Sequence, residues 1–286
     1  MNTSDVSIII PACNEAEGLA LVLPELTRIY PDAEILVIND GSTDQTAQVC
    51  ETYHVRCINR PYRMGNGAAV KAGAREASRN VLVFMDADGQ HAPEDIAALL
   101  SLIDQGHDMV VAARASAAHA NLFRLGGNRI YNLLASAITG HKIPDLTSGF
   151  RAARADKFRE FLRLLPNGFS YPTTITMAFL RTGYGVCFVP VNVKNRIGKS
   201  HIQPLRDGLR FLLIIFKIST LYSPLKFFAS ISFIMFMAGF SWYLYIYLTQ
   251  GRFTNMSVLL LTTSILVFFI GIVSEQLTML FYRDKT

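Results

Sequence analysis

The stretch that decides the fold is Val81-Leu82-Val83-Phe84-Met85-Asp86-Ala87-Asp88-Gly89-Gln90-His91. It begins as an apolar run too short for a buried helix and ends in alternating acids. Side chains of a strand alternate between its two faces, so residues two apart share a side. Asp86, Asp88 and Gln90 therefore converge beyond the strand's carboxyl end. Carboxylates left unpaired beside an apolar strand are costly. A hard divalent cation that also binds diphosphate oxygens, Mg²⁺ or Mn²⁺, relieves that cost. The plainer alternative is a solvated turn, because Asp and Gly are common turn formers. The position at a strand end favours the cation.

On either side of this stretch, short apolar runs alternate with amphipathic ones. Strands are expected at Val6–Ile10, Glu34–Ile38, Arg56–Ile58, Val81–Met85 and Met109–Ala112. Helices are expected at Ala16–Ile29, Thr43–Tyr53, Asn66–Ser78 and Pro93–Asp104. That alternation implies an α/β domain with a mostly parallel sheet covered on both faces. Ligands of such sheets sit at the carboxyl ends of the strands. Beyond Asn121 the pattern loosens into a helix near Phe123–Ile138, a loop at Thr139–Ser148 and a strand-like Gly149-Phe150-Arg151-Ala152-Ala153. A helix at Thr173–Thr182 and an extended run at Tyr184–Val193 follow.

The last third is a different material. Pro204–Tyr222 reads as an amphipathic helix lying in a membrane interface, with Arg206, Arg210 and Lys217 interrupting its apolar residues. Phe227–Leu248 and Met256–Ser274 carry no charge, and each approaches the ~20 residues that cross a bilayer. They imply a transmembrane hairpin. Trp242, Tyr243, Tyr245 and Tyr247 suit an interfacial aromatic belt. Lys226, Arg283 and Lys285 outnumber Arg252 of the link, which puts the N-terminal domain on the cytoplasmic side. The expected organisation is a catalytic domain at 1–202, an interface helix at 203–224 and a hairpin at 225–286, with spans at 227–248 and 256–280.

Several classes drop out. The net charge of +5 includes no dense basic run, so no nucleic acid is expected. The four cysteines have no metal or disulfide-framework spacing, and read as reduced, mostly core thiols. The N-terminus lacks the basic and apolar regions of a signal peptide, so the chain is expected to start in the cytosol. The first strand ends in Pro11-Ala12-Cys13-Asn14-Glu15 rather than a glycine-rich G-x-G-x-x-G, which counts against NAD or FAD. Asp40, in Asn39-Asp40-Gly41-Ser42-Thr43-Asp44, is placed to accept from a base or ribose, though the same residues make a good turn and cap. Gly65-Asn66-Gly67 opens a helix and reads equally as a phosphate-binding start or a tight turn.

Together these segments resemble family 2 glycosyltransferases of the GT-A fold: P-A-C-N-E at 11–15, N-D-G-S-T-D at 39–44, G-N-G-A-A at 65–69 and D-A-D-G-Q at 86–90. Asp145-Leu146-Thr147-Ser148-Gly149-Phe150-Arg151 and Arg196-Ile197-Gly198-Lys199-Ser200 are similar to later motifs of dolichol-phosphate mannose synthases and bacterial polyprenyl-phosphate glycosyltransferases. The resemblance implies a UDP- or GDP-sugar donor, a polyprenyl phosphate acceptor, a metal-dependent inverting transfer, the cytoplasmic membrane face and a homo-oligomer such as a tetramer.

By that resemblance Asp86, Asp88 and Gln90 hold the metal and donor diphosphate. Pro11, Asn14, Glu15 and Asp40 line the nucleotide pocket. Arg114, Arg129, Arg151 and Arg196 engage phosphates, Ser200 assists at the acceptor end, and Asp145 orients the acceptor or takes a proton. Two departures stand out. Asn39 replaces the first Asp of D-D-G-S, leaving the base open, and His201 stands where many relatives carry Lys. Processive polysaccharide synthases, the nearest rival, carry Q-x-x-R-W; the lone Trp242 lies in a span. An inactive membrane scaffold is the non-enzyme rival, against which the intact Asp86/Asp88 pair speaks.

Overall fold

The computed structural model describes residues 2–114, 132–133, 135–136, 139–168, 170–192, 216, 220 and 222–283. The chain divides into two compact units, Met1–Asp207 and Gly208–Thr286. The helix expected near 123–138 and the interface helix expected at 204–222 fall almost wholly outside the described residues.

The first unit is built on a seven-stranded sheet in the order β3-β2-β1-β4-β6-β5-β7. Its strands are β1 (Val6–Ala12), β2 (Glu34–Asn39), β3 (Arg56–Asn59), β4 (Val81–Phe84), β5 (Met109–Arg114), β6 (Arg151–Arg154) and β7 (Val186–Val191). The β1–β2, β2–β3, β1–β4 and β5–β7 pairs are parallel. β6 runs antiparallel to both β4 and β5. Its helices are α1 (Ala16–Ile29), α2 (Thr46–Thr52), α3 (Asn66–Glu76), α4 (Asp95–Asp104), α5 (Ala155–Glu160) and α6 (Tyr171–Arg181). The mixed, mostly parallel α/β sheet is the one expected. α5 was not anticipated, since six residues leave little periodicity to read.

Two features of this order position the site. The chain runs β1 to β3 in one direction and then returns to place β4 on the other side of β1. The crevice at that reversal is where open α/β sheets bind ligands. The reversed β6 then brings its preceding loop, residues 145–150, to the same edge as the carboxyl ends of β4 and β5, with Arg151 in register with Phe84 and Val111.

Packing follows the apolar pattern. α1 buries Leu19, Val22, Leu23 and Leu26, a helical stripe, against β1 and β2 residues such as Ile8, Ile10 and Val37. α6 is buried along its whole length from Tyr171 to Leu180. Pro190 lies on the edge strand β7, where its missing N–H costs no ladder bond. All four cysteines are free thiols, but only Cys50 is fully buried; Cys13, Cys57 and Cys187 are half-buried at loop or strand edges.

The second unit holds α7 (Pro224–Gln250) and α8 (Asn255–Arg283). Both are long and apolar enough to cross a bilayer, and only 11% and 17% of their most apolar windows are buried. A core hairpin of a soluble domain would be mostly covered, so those values favour a lipid-facing pair. The helices meet closely where small residues allow it. Gly239 faces Leu260 and Leu261, Gly271 faces Phe228, and Ser232 Oγ donates to the Ser264 carbonyl at 2.7 Å. Glu275 accepts the Leu225 backbone N–H at 3.2 Å, capping the first turn of α7 from its neighbour.

Gly18 of α1 sits directly under the acidic loop. A methyl group there would overlap the Ala87 carbonyl and stand 3.2 Å from Asp88 Cα. Gly18→Ala should therefore cost about 1–3 kcal/mol, seen as a lower melting temperature in detergent. Unchanged melting would mean the loop gives way freely.

Candidate active site

The carboxyl ends of β1 and β2 are knitted together before any ligand is considered. Asn14 has φ +57°, a left-handed conformation that Asn tolerates better than most residues. Its N–H donates to Ser42 Oγ at 2.9 Å, and its side-chain oxygen accepts the Thr43 N–H at 2.8 Å. The Glu15 N–H donates to Thr46 Oγ1 at 3.2 Å. Asp44 accepts from the Ala16 N–H at 3.1 Å and from the Thr46 N–H and hydroxyl at 3.0 and 2.5 Å. Burial alone would raise the Asp44 carboxyl; those hydrogen bonds outweigh it and hold it below its ordinary value. Pro11, next to last in β1, is half-buried and in register with Ile38.

Asp40, expected to face a base or ribose, is 3% exposed and already engaged. Its two oxygens accept the Met64 and Gly65 N–H groups at 2.9 and 2.7 Å, and Arg60 Nη1 lies 3.5 Å away. Gly65-Asn66-Gly67 is likewise resolved as a tight packing turn. The Ala68 N–H donates to the Asn167 carbonyl at 3.0 Å, and a side chain at Gly67 would strike the Pro166 carbonyl. Lys71 then fastens the same loop, donating to the Leu165 carbonyl at 3.0 Å.

Across the switch crevice, Asp86 lies against the backbone at Gly149. A Cβ there would come within 2.9 Å of Asp86 Oδ2, so the glycine is what admits the carboxylate. Asp88 is 8% exposed, and its Oδ1 accepts the Gln90 N–H at 3.2 Å. At the end of β5, Arg114 grips Asp145 bidentately, Nε to Oδ2 at 2.7 Å and Nη2 to Oδ1 at 3.2 Å, and donates to Thr147 Oγ1 at 2.7 Å. Thr147 in turn donates its N–H and hydroxyl to Asp145 Oδ1, both at 3.0 Å. Burial works to raise the Asp145 carboxyl, yet the Arg114 and Thr147 hydrogen bonds win and hold it below the usual carboxylate value. The same pair raises Arg114 above its ordinary value.

Arg151, expected at phosphate, lies elsewhere. It is fully buried, and its guanidinium donates to the Pro172 carbonyl at 3.0 Å, to Thr176 Oγ1 at 3.1 Å and to the Ser148 carbonyl. The Tyr171 ring lies 5.8 Å from its guanidinium carbon. Strand pairing closes both edges of β6, and α6, through Pro172 and Thr176, covers the face from which Arg151 projects. Arg151 thus supports the 147–150 loop, and its charge acts on Asp145 and Asp86 from behind. Arg129, Arg196 and Ser200 lie outside the described residues.

Asp44, Arg60, Thr147, Gly149 and His91 belong to this edge and were not singled out from sequence. Asp44-x-Thr46 and Asp145-x-Thr147 share one legible signal, an Asp accepting from the backbone two residues on. Among the described residues no three His, Cys, Asp or Glu side chains cluster as a metal cage. Two acids and an amide oxygen at a strand tip instead suit an ion of the Mg²⁺ type, which keeps waters and takes substrate phosphates as ligands.

Residues 7–162 match the model of glycosyl transferase family 2. The chain belongs to that family. Residues 223–280 match a second model, the GtrB C-terminal hairpin. The chain is 30% identical over 209 residues to polyprenol monophosphomannose synthase of Mycolicibacterium smegmatis, covering 68% of this chain and 79% of the relative. It is 31% identical over 222 residues to undecaprenyl-phosphate mannosyltransferase of Micrococcus luteus, covering 69% and 87%. Glucosyl-3-phosphoglycerate synthase from Mycobacterium tuberculosis, solved with Mn²⁺, UDP and phosphoglyceric acid, superposes with a TM-score of 0.60 at 19% identity, over 73% of this chain and 75% of that one. At that identity the likeness speaks for the fold, and it agrees with a GT-A domain. As a family 2 member the chain is a glycosyltransferase.

The Arg114–Asp145 pair carries a pH signature. A carboxyl held low when folded stabilises above its unfolded pKa of about 3.9, and that contribution fades as pH falls through the folded value. Asp145→Asn should cost about 1–3 kcal/mol at pH 7. In thermal melts the gap from wild type should be equal at pH 7 and 5 and shrink below about pH 4. A gap unchanged at pH 3 would contradict the pairing.

Proposed function

We propose that this glycosyltransferase moves a hexose-type sugar from a UDP- or GDP-linked donor to a polyprenyl phosphate, with inversion at the anomeric carbon, at the cytoplasmic face of a membrane. One observation carries the reading: a glycosyltransferase domain with acids at the β4 tip shares its chain with an apolar hairpin that matches the GtrB C-terminal hairpin. The two mannosyltransferase relatives, named for polyprenol and undecaprenyl phosphate acceptors, support it. Mn²⁺ and UDP in the structural neighbour support a divalent cofactor and a nucleotide donor.

Asp86, Asp88 and the Gln90 amide would hold Mg²⁺ or Mn²⁺. Bound there, the ion would offset charge developing on the departing nucleoside diphosphate. The acceptor is a phosphate monoester, largely ionised at neutral pH because its second pKa is about 6. It needs little help from a base. Asp145, held ionised and gripped by Arg114, is a poor proton acceptor; its role here is to orient Arg114. The partly exposed guanidinium then presents its fork to phosphate oxygens. Asn14, Glu15, Asp40 and Pro11 shape the nucleotide end, Asp40 by fixing the Met64–Gly65 turn. Arg129, Arg196 and Ser200 are assigned to phosphate and acceptor by resemblance alone. The hairpin keeps the enzyme in the bilayer that holds its acceptor, with the lysine and arginine excess at 226, 283 and 285 setting the orientation. A homo-oligomer is part of the same proposal.

Purified protein given polyprenyl phosphate, Mn²⁺ or Mg²⁺ and a panel of UDP- and GDP-sugars should form one lipid-linked monosaccharide. Asp88→Ala should lower that rate by roughly three orders of magnitude, a loss of several kcal/mol of transition-state stabilisation, with melting nearly unchanged. Wild-type turnover in the variant would remove the metal assignment; transfer only to growing polysaccharide would favour the synthase reading.

A further inference from the structure

His91 closes the acidic loop and has no role in the chemistry above. Its side chain is 6% exposed, and Nδ1 is buried without a hydrogen-bond partner. The ring stacks on Phe150 with centroids 4.6 Å apart and planes at 32°. Phe150 is itself fixed to β5, its carbonyl accepting the Ala112 N–H at 3.0 Å. The charged groups acting on the ring are Asp88, Arg114 and Asp145, all of the candidate site.

A buried polar atom with no partner costs about 1–3 kcal/mol. Phenylalanine would stack on Phe150 without that penalty, so packing alone leaves the nitrogen unexplained. Metal ligation is the first alternative. It is disfavoured because His91 forms no three-membered cluster with acids among the described residues. What remains is a hydrogen bond to a ligand drawn to this loop by Arg114 and by the cation that Asp86 and Asp88 would hold. Imidazole Nδ1 can carry a proton and donate it.

We propose that His91 is a donor-binding residue whose Nδ1–H bonds an oxygen of the diphosphate held at the β4 tip. It acts alongside Arg114, which supplies charge, by supplying a stacked and pre-oriented donor. The proposal rests on the nucleotide-sugar reading but not on the lipid acceptor.

The test is calorimetric binding of UDP and of GDP, each with Mn²⁺, to the full chain in detergent. His91→Phe keeps the stack and should bind the favoured nucleotide about tenfold more weakly, or worse. His91→Asn places an amide near Nδ1 and should recover binding to within about threefold of wild type. His91→Gln reaches toward the Nε2 position and should stay as weak as His91→Phe. The Asn and Gln comparison decides the matter even if His91→Phe does not fold. Equal affinity in wild type and His91→Phe overturns the proposal, as does equal weakness of the Asn and Gln variants. Wild type binding neither nucleotide overturns it together with the donor reading. Nucleotide affinities as expected, with no lipid phosphate glycosylated, uphold His91 and sink only the acceptor.

Discussion

Negative charge gathered at the end of a greasy strand has to be answered, and the answers organise this domain. Asp86, Asp88 and Asp145 all lie at one edge of the sheet, two of them under a tenth exposed. In water each would be solvated; here solvation is replaced by fixed partners. Arg114 meets Asp145 directly at 2.7 Å, and Arg151 contributes charge from a fully buried position behind the loop. The reversed β6 makes this possible, because only an antiparallel strand between β4 and β5 delivers residues 145–150 to the carboxyl edge. Its Gly149 also leaves the room that Asp86 occupies. Sheet topology, one absent side chain and two arginines thus form a single electrostatic arrangement.

The same edge divides its labour. The β1 and β2 loops are spent on holding each other, through Asn14, Ser42, Thr43, Asp44 and Thr46. Asp40 is spent on the turn that begins α3. Such engaged groups build a rigid wall, against which a flat base would rest in the proposed reading, whereas the loops beyond β4 and β5 would meet its phosphates. A preorganised wall loses little freedom when ligand arrives.

Much of this was legible beforehand, and the exceptions have physical causes. Five strands and four helices of the first half announced themselves by apolar period, with α1 matching from Ala16 to Ile29. The acidic loop was legible because D-x-D follows directly on a buried strand. Arg151 was assigned to phosphate by resemblance; its burial depends on pairing with β4 and β5, which no local pattern records. Asp40 looked like a ligand contact, but its amide partners lie more than twenty residues on, and long-range capture of a carboxylate leaves no sequence mark. The Asp-x-Thr turns at 44–46 and 145–147 did leave one, and it would have tied both acids to structural work. His91 was visible as a letter and silent as chemistry, since an orphaned nitrogen appears only once burial is known.

The hairpin has a corresponding economy. Glu275 and Leu225 are joined across fifty residues of chain by one bond from a carboxylate to a helix-start amide. Sliding either helix by a turn would strip the Leu225 N–H of its carboxylate where few waters stand ready to replace it. Together with the Ser232–Ser264 bond and the close contacts at Gly239 and Gly271, that bond works like a hasp, setting the phase of one span against the other and turning two greasy rods into an element with one defined register.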